Sequence, residues 1–323
     1  MSRLRHLLST VAVATFAAAA LAVPLTAGPT AGAEATAAPI DEYVALGDSW
    51  SADVVLADTH GLPDTTYAPI DCAQSKTNYP KLLAKELGVT SFRDATCGSA
   101  KTDDFYAPQE DLPLGGTNPA QFDRLTPTTD LVTVGIGGND AGIAGAAMDC
   151  LGALPDNETV PPGTDPTGSV PMGGCKDKYA PEGGEDQLAA SIAAAEPKLV
   201  AALEEIHRRS PEARVLMVDY LAAVPEHACY PLVPISGEDM VYLHATFLRL
   251  NAMVQRAAVA GGAEFVDTFT PTIGHDVCQG PTVRYAEVAG PSVNGPAAGV
   301  PAHPNSAGAA AQFRAVLAQV TAS

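Results

Sequence analysis

Basic residues are scarce in this chain. Only 18 Lys+Arg stand against 37 Asp+Glu, a formal charge of −19. A surface of that sign repels nucleic-acid phosphates and anionic membranes, so neither is an expected partner. Long apolar runs are missing after the N-terminus, which leaves nothing downstream to predict a membrane span. No Cys-x-x-Cys or His-x-x-x-His spacing occurs, so no metal site and no cofactor are expected. Internal repeats and a separate binding module are absent as well. Aromatics make up 6% of the chain and tryptophan occurs once, at Trp50; scattered aromatics such as Tyr67, Phe105, Tyr106, Phe122 and Tyr230 are candidates for a pocket but read more simply as core.

What is present begins with an export signature. Arg3, Arg5 and His6 precede an apolar, Ala-rich stretch from Leu7 to Leu25, and Ala31-Gly32-Ala33 fits a small-x-small cleavage site. Residues 1–33 are therefore expected to be a secretory signal peptide, with 34–40 a flexible segment and 41–323 one domain. The competing reading is an uncleaved anchor; Pro24 and the small-residue tail favour cleavage, so no stable membrane insertion is expected. Removal of 1–33 takes two cations and no acids, leaving 16 Lys+Arg against 37 Asp+Glu and a charge of −21. Such a chain is expected to be secreted, soluble and monomeric.

Six cysteines remain in the exported part: Cys72, Cys97, Cys150, Cys175, Cys229 and Cys278. An even count in an exported chain points to three disulfides, although the connectivity is not fixed by sequence. The simplest pairing joins neighbours: 72–97, 150–175 and 229–278. Asn157-Glu158-Thr159 matches a glycosylation sequon, relevant only in a host that glycosylates.

Short β-branched runs alternate with helical ones. Strands are expected at Tyr43–Leu46, Thr90–Arg93, Asp130–Ile136, Ala213–Val218 and Glu264–Val266. Helices are expected at Tyr79–Leu87, Glu185–Arg209, Asp239–Ala260 and Asn305–Val320. This alternation predicts an α/β fold: a five-stranded parallel sheet covered on both faces, with its ligand at the carboxyl ends of the strands. Irregular stretches at 150–184, 221–239 and 270–301, each containing cysteine, read as pinned surface loops around a site.

Three segments carry chemistry. Gly47-Asp48-Ser49 closes the first strand, where a serine would be exposed at the top of the sheet. A helix N-cap is the blander alternative for Asp48 and Ser49. Gly-x-Ser-x-Gly is absent, because Ser51 stands where that motif needs glycine. Gly135-Ile136-Gly137-Gly138-Asn139-Asp140 follows the strongest strand; its glycines admit a ligand close to the backbone, and the Asn139 amide can donate to an oxyanion. A simple turn is the alternative. His303 sits in the loop before the last helix, where it can act as a base; the other six histidines lack such a setting.

In order along the chain, Leu46-Gly47-Asp48-Ser49, Cys97-Gly98-Ser99-Ala100, Gly137-Gly138-Asn139-Asp140 and His303-Pro304 resemble the blocks of the SGNH hydrolase (GDSL esterase/lipase) family, and in particular its secreted actinobacterial members with three disulfides. The resemblance implies a flavodoxin-like three-layer α/β/α sandwich and three sequential disulfides. It implies a carboxylic ester hydrolase acting on a small-molecule or lipid ester, with Ser49 as nucleophile and His303 as base. The oxyanion hole would comprise the Ser49 and Ser99 N–H groups and the Asn139 amide. Two positions depart from the pattern. Ser99 stands where the family has glycine, with Gly98 as the alternative donor. Val300 stands where the family often has the aspartate that orients the histidine, so the Val300 carbonyl is expected to do so. Asp276 is the other acid considered there, read as structural.

Three other readings compete. One is a secreted ligand-binding protein that kept this fold and lost catalysis, favoured only by Ser99. Another is a metallohydrolase built on Asp48, Asp140 and His303. The last is a glycosidase, for which no carboxylate pair stands out.

Overall fold

A computed structural model describes residues 39–57, 61–110, 112–151, 174–288, 295 and 298–322. The expected signal segment and the Asn157-Glu158-Thr159 sequon lie outside the described residues. In chain order the strands are β1 (Glu42–Gly47), β2 (Val55–Ala57), β3 (Ser91–Asp94), β4 (Leu131–Gly135), β5 (Arg214–Val218), β6 (Glu264–Val266) and β7 (Ala298–Gly299). The helices are α1 (Ser49–Ala52), α2 (Tyr79–Leu87), α3 (Asp103–Tyr106), α4 (Ile143–Cys150), α5 (Cys175–Tyr179), α6 (Gln187–Arg209), α7 (Gly237–Ala260) and α8 (Ser306–Thr321).

The central sheet has five parallel strands in the order β3-β1-β4-β5-β6. Period-2 alternation builds its two faces. Val44 and Leu46 of β1, Val132 and Val134 of β4, and Val215 and Met217 of β5 join one core with residues of α6 and α7. Tyr43, Ala45, Leu131, Leu216 and Val218 point the other way, into a core shared with α2 and α8. Both faces are buried, so the strands read as continuous apolar runs, and the architecture is a three-layer α/β/α sandwich. The buried polar side chains on these strands are paired: Thr133 on β4 bonds the Tyr43 hydroxyl at 2.7 Å, and Asp94 on β3 accepts from the Asn78 amide at 2.8 Å.

The four longer helices start at side-chain caps. Asn78 accepts from the Lys81 N–H, Asp186 from Ala189, Ser236 from Asp239, and Asn305 from Ala307 and Gly308. The disulfides join Cys72 to Cys97, Cys150 to Cys175 and Cys229 to Cys278. A small antiparallel pair, β2 with β7, has no counterpart in the sequence reading. Its strands are two and three residues long, too short to show a period.

Strand order reverses between β1 and β4: the chain leaves β1 to reach β3 on one side, while β4 lies on the other. That reversal opens the crevice at which doubly wound sheets bind ligands. The turn carrying Ser49 and the turn carrying Asn139 follow these two strands.

Candidate active site

The β1–α1 turn is tight. Gly47 has φ +153°, and a Cβ there would lie 2.5 Å from the Gly135 carbonyl oxygen, so no side chain fits. Gln121 holds both sides of Gly47, donating to its carbonyl at 2.9 Å and accepting from its N–H at 2.8 Å. Asp48 then caps α1 through the Trp50 N–H at 2.9 Å. The cap is thus Asp48 and not Ser49, which opens the helix as its first residue. Its N–H belongs to those that a helix start leaves without an intrahelical acceptor.

Across the crevice, the His303 Nε2 lies 2.8 Å from the Ser49 Oγ, although the two residues are 254 apart in sequence. The other ring nitrogen, Nδ1, lies 2.9 Å from the Pro301 carbonyl oxygen. A carbonyl only accepts, so Nδ1 carries the hydrogen and Nε2 is left bare to accept from the serine hydroxyl. Burial holds the imidazole pKa down to about 4, so the ring is neutral at pH 7 and free to take a proton.

The Val300 carbonyl does not orient the ring. It is occupied by the His303 backbone N–H at 3.2 Å, closing a four-residue turn with Pro301 second and Ala302 third, at φ +60°. Proline second and a positive φ third are the features of a type II turn. Closing the turn consumes the outer carbonyl and leaves the next one, on Pro301, beside the imidazole. Asp276 lies outside this arrangement, accepting from the Cys278 N–H and the Gln279 amide.

Ser99 has φ +63°, the left-handed conformation that glycine usually takes. The Gly98 N–H donates to the Cys72 carbonyl at 3.1 Å and is unavailable to a ligand. The Ser99 N–H meets no acceptor among the described residues. Two side chains tie this loop to the β4 loop. Asn139 donates one amide hydrogen to the Ala100 carbonyl at 3.0 Å, which leaves its second N–H for a ligand. Asp140 accepts from the Thr102 hydroxyl at 2.6 Å.

Sequence reasoning missed Tyr220. Its hydroxyl donates to Asp48 Oδ2 at 2.6 Å and accepts from the Gly138 N–H at 2.7 Å, bolting the serine turn to the Asn139 loop. Asn251 grips the Tyr220 backbone from both sides, at 3.1 and 2.7 Å. Buried among these groups, the Asp48 carboxyl is pushed up to about 7 by desolvation, against the lowering effect of the Tyr220 and Trp50 bonds. Trp50 stands edge-on to Tyr220 and packs against the His303 ring at 6.0 Å between centroids. A lone tryptophan directly after Ser49 was a usable signal; nothing near Tyr220 in sequence marked it. Phe105 and Phe122 are core, packed on each other at 5.1 Å.

No group of three or more His, Cys, Asp or Glu side chains that could hold a metal occurs among the described residues. Asp48, Asp140 and His303 face Tyr220, Thr102 and Ser49 respectively, not a shared point.

A doubly wound sheet with a serine and a neutral histidine in contact at its switch point defines a hydrolase-like site. The chain belongs to the GDSL-like Lipase/Acylhydrolase family, whose model matches residues 45–311, and it is accordingly an ester hydrolase. It is 35% identical to Lipase 2 of Streptomyces coelicolor over 295 residues, covering 89% of this chain and 88% of that one. It is 29% identical to an esterase of Streptomyces scabiei over 274 residues, 79% and 77% of the two chains. Among solved structures, phospholipase A1 from Streptomyces albidoflavus NA297 shares the fold at a TM-score of 0.61 and 21% identity, over 87% of this chain and 99% of that one. An extracellular lipase from Streptomyces rimosus matches at a TM-score of 0.56 and 26% identity, over 87% and 99% of the two chains.

Proposed function

We propose that this protein is an exported serine esterase or lipase that cleaves carboxylic esters through an acyl-enzyme on Ser49. The reading is carried by the 2.8 Å approach of His303 Nε2 to Ser49 Oγ. His303 takes the hydroxyl proton as Ser49 attacks the ester carbonyl, and returns it to the departing alcohol. The tetrahedral oxyanion is held by the N–H groups of Ser49 and Ser99 and by the Asn139 amide. Water, deprotonated by the same imidazole, then releases the acid. With a carbonyl behind the ring in place of a carboxylate, the unit is a Ser–His dyad. The Pro301 oxygen fixes the tautomer but lends the imidazolium less charge stabilisation than an aspartate would. The export reading rests on the N-terminal sequence and three disulfides.

Ser49→Ala is expected to abolish cleavage of a short p-nitrophenyl ester with the far-UV circular dichroism unchanged. A fluorophosphonate probe is expected to label the wild type at Ser49 and to leave the alanine variant unlabelled. Substantial hydrolysis by Ser49→Ala would remove this nucleophile. An unlabelled, inactive wild type would return the chain to the reading of a binding protein with a lost activity. A panel of esters graded in acyl length and head group identifies the preferred substrate.

A further inference from the structure

Ala302 and His303 are held from behind by a segment outside the four blocks. Residues 284–287 run antiparallel to 302–305. The Ala302 N–H donates to the Glu287 carbonyl at 2.8 Å, the Glu287 N–H donates to the His303 carbonyl at 2.9 Å, and the Asn305 N–H donates to the Tyr285 carbonyl at 2.9 Å. The approach is close enough that a Cβ on Gly308 would lie 2.3 Å from the Tyr285 oxygen. Beneath this backbone pairing sits a polar cluster. Glu287 and Arg284 are 1% and 5% exposed, and the Arg284 Nη2 lies 3.3 Å from Glu287 Oε2. Asn305, fully buried, donates to Glu287 Oε1 at 2.8 Å and to the Arg284 carbonyl at 2.9 Å.

A buried ion pair is weak evidence of a stabilising device, because desolvation offsets its attraction. This pair is not even complete: Arg284 Nε meets no acceptor among the described residues. Nor is Glu287 needed to cap α8, since Asn305 does that with its other amide atom. Through the Glu287 backbone, this cluster is joined to the strained turn that aims the imidazole, with Ala302 at φ +60°.

We infer that the Arg284–Glu287–Asn305 cluster positions His303, doing from behind the turn what a carboxylate on the ring would otherwise do. Glu287 and Arg284 are positioning residues; they touch neither Ser49 nor the imidazole. The inference rests on the reading of His303 as the base, and the reason for it is geometric. A ring whose Nδ1 is hydrogen-bonded only to a carbonyl within its own turn moves with that turn, and a displacement of about 1 Å costs roughly a hundredfold in rate.

The test uses the full chain carrying Arg284→Met with Glu287→Met, which removes both charges and keeps the volume. A merely structural pair predicts a changed thermal midpoint and unchanged kinetics. Positioning predicts a folded protein whose kcat on a short p-nitrophenyl ester falls about tenfold or more, with KM held within about twofold. Fluorophosphonate labelling of Ser49 should slow in the same proportion. Wild-type kcat and labelling rate in a folded double variant overturn the inference. If that variant does not fold, Glu287→Gln decides, since it retains an acceptor for Asn305 and loses the charge facing Arg284. A kcat lowered about threefold or more at constant KM supports the inference, and an unchanged kcat overturns it. His303→Ala is measured alongside. Activity surviving that change defeats the dyad itself, an outcome distinct from failure of the clamp.

Discussion

Single side chains at this site mostly hold other groups in place. Tyr220 is the clearest case, because one hydroxyl satisfies a buried carboxyl on one side and a buried backbone N–H on the other. Tyr220→Phe leaves Asp48 Oδ2 and the Gly138 N–H without a partner, while Asp48 Oδ1 keeps the Trp50 N–H. An unsatisfied buried polar group costs about 1–3 kcal/mol, so the variant should lose about 2–4 kcal/mol in urea unfolding. It should also lose kcat more than KM, since the Asn139 loop is no longer tied to the Ser49 turn. Full stability and full kcat together would show that water replaces the hydroxyl. Ser99 makes a different point. Its sequence position predicted an awkward residue, and its φ of +63° is the physical form of that awkwardness. The choice between Gly98 and Ser99 was not legible in the sequence, because it turns on which N–H the Cys72 carbonyl occupies.

At the scale of elements, the strands and long helices were readable because burial imposes its period on them. The run of β4 is buried on both faces, and α6 and α7 are long and amphipathic with caps at their starts. The short pieces were not readable. The β2–β7 pair and the four-residue α1 and α3 hold too few residues to show any period. The turn at 300–303 was misjudged for a related reason: which carbonyl faces an imidazole depends on how a turn closes, not on residue type. The disulfide between Cys72 and Cys97 acts on this scale too, since it fixes the root of the Ser99 loop. Replacing both cysteines by alanine is expected to cost about 2–5 kcal/mol. On the proposed mechanism it should also lower kcat for short esters beyond any loss of folded protein, measured by active-site titration with the fluorophosphonate. An unchanged kcat per titrated site would mean that the loop keeps its shape without the bridge.

For the molecule as a whole, the buried acids set the response to pH. Asp48 and Asp219 are both raised to about 7, chiefly by desolvation, and Asp219 is held by Thr268. A raised carboxyl binds its proton more tightly folded than unfolded. Its stability contribution is complete below the ordinary value of 3.8 and is lost as pH rises through about 7. His303 works the other way, lowered to about 4 from 6.5, so its contribution grows between those values and is constant above them. Above pH 6.5 only the acids act, and the thermal midpoint should fall from there to about pH 8. Asp219→Asn keeps an acceptor for Thr268 and should flatten that fall. Equal slopes for variant and wild type would clear Asp219 of the effect. The acidic surface remains an independent whole-chain property, 37 acids against 18 bases.

Sequence alone determined the strand-helix alternation, the charge, and the order of four short blocks, because each is written in residue type and spacing. The tertiary structure alone decided that residues 49 and 303 meet, that Pro301 supplies the carbonyl, and that Tyr220 and Glu287 belong to the same neighbourhood. Those facts are distances between segments far apart along the chain. Such distances are set by how two faces of a sheet pack and how loops close over its edge, and no local pattern encodes them.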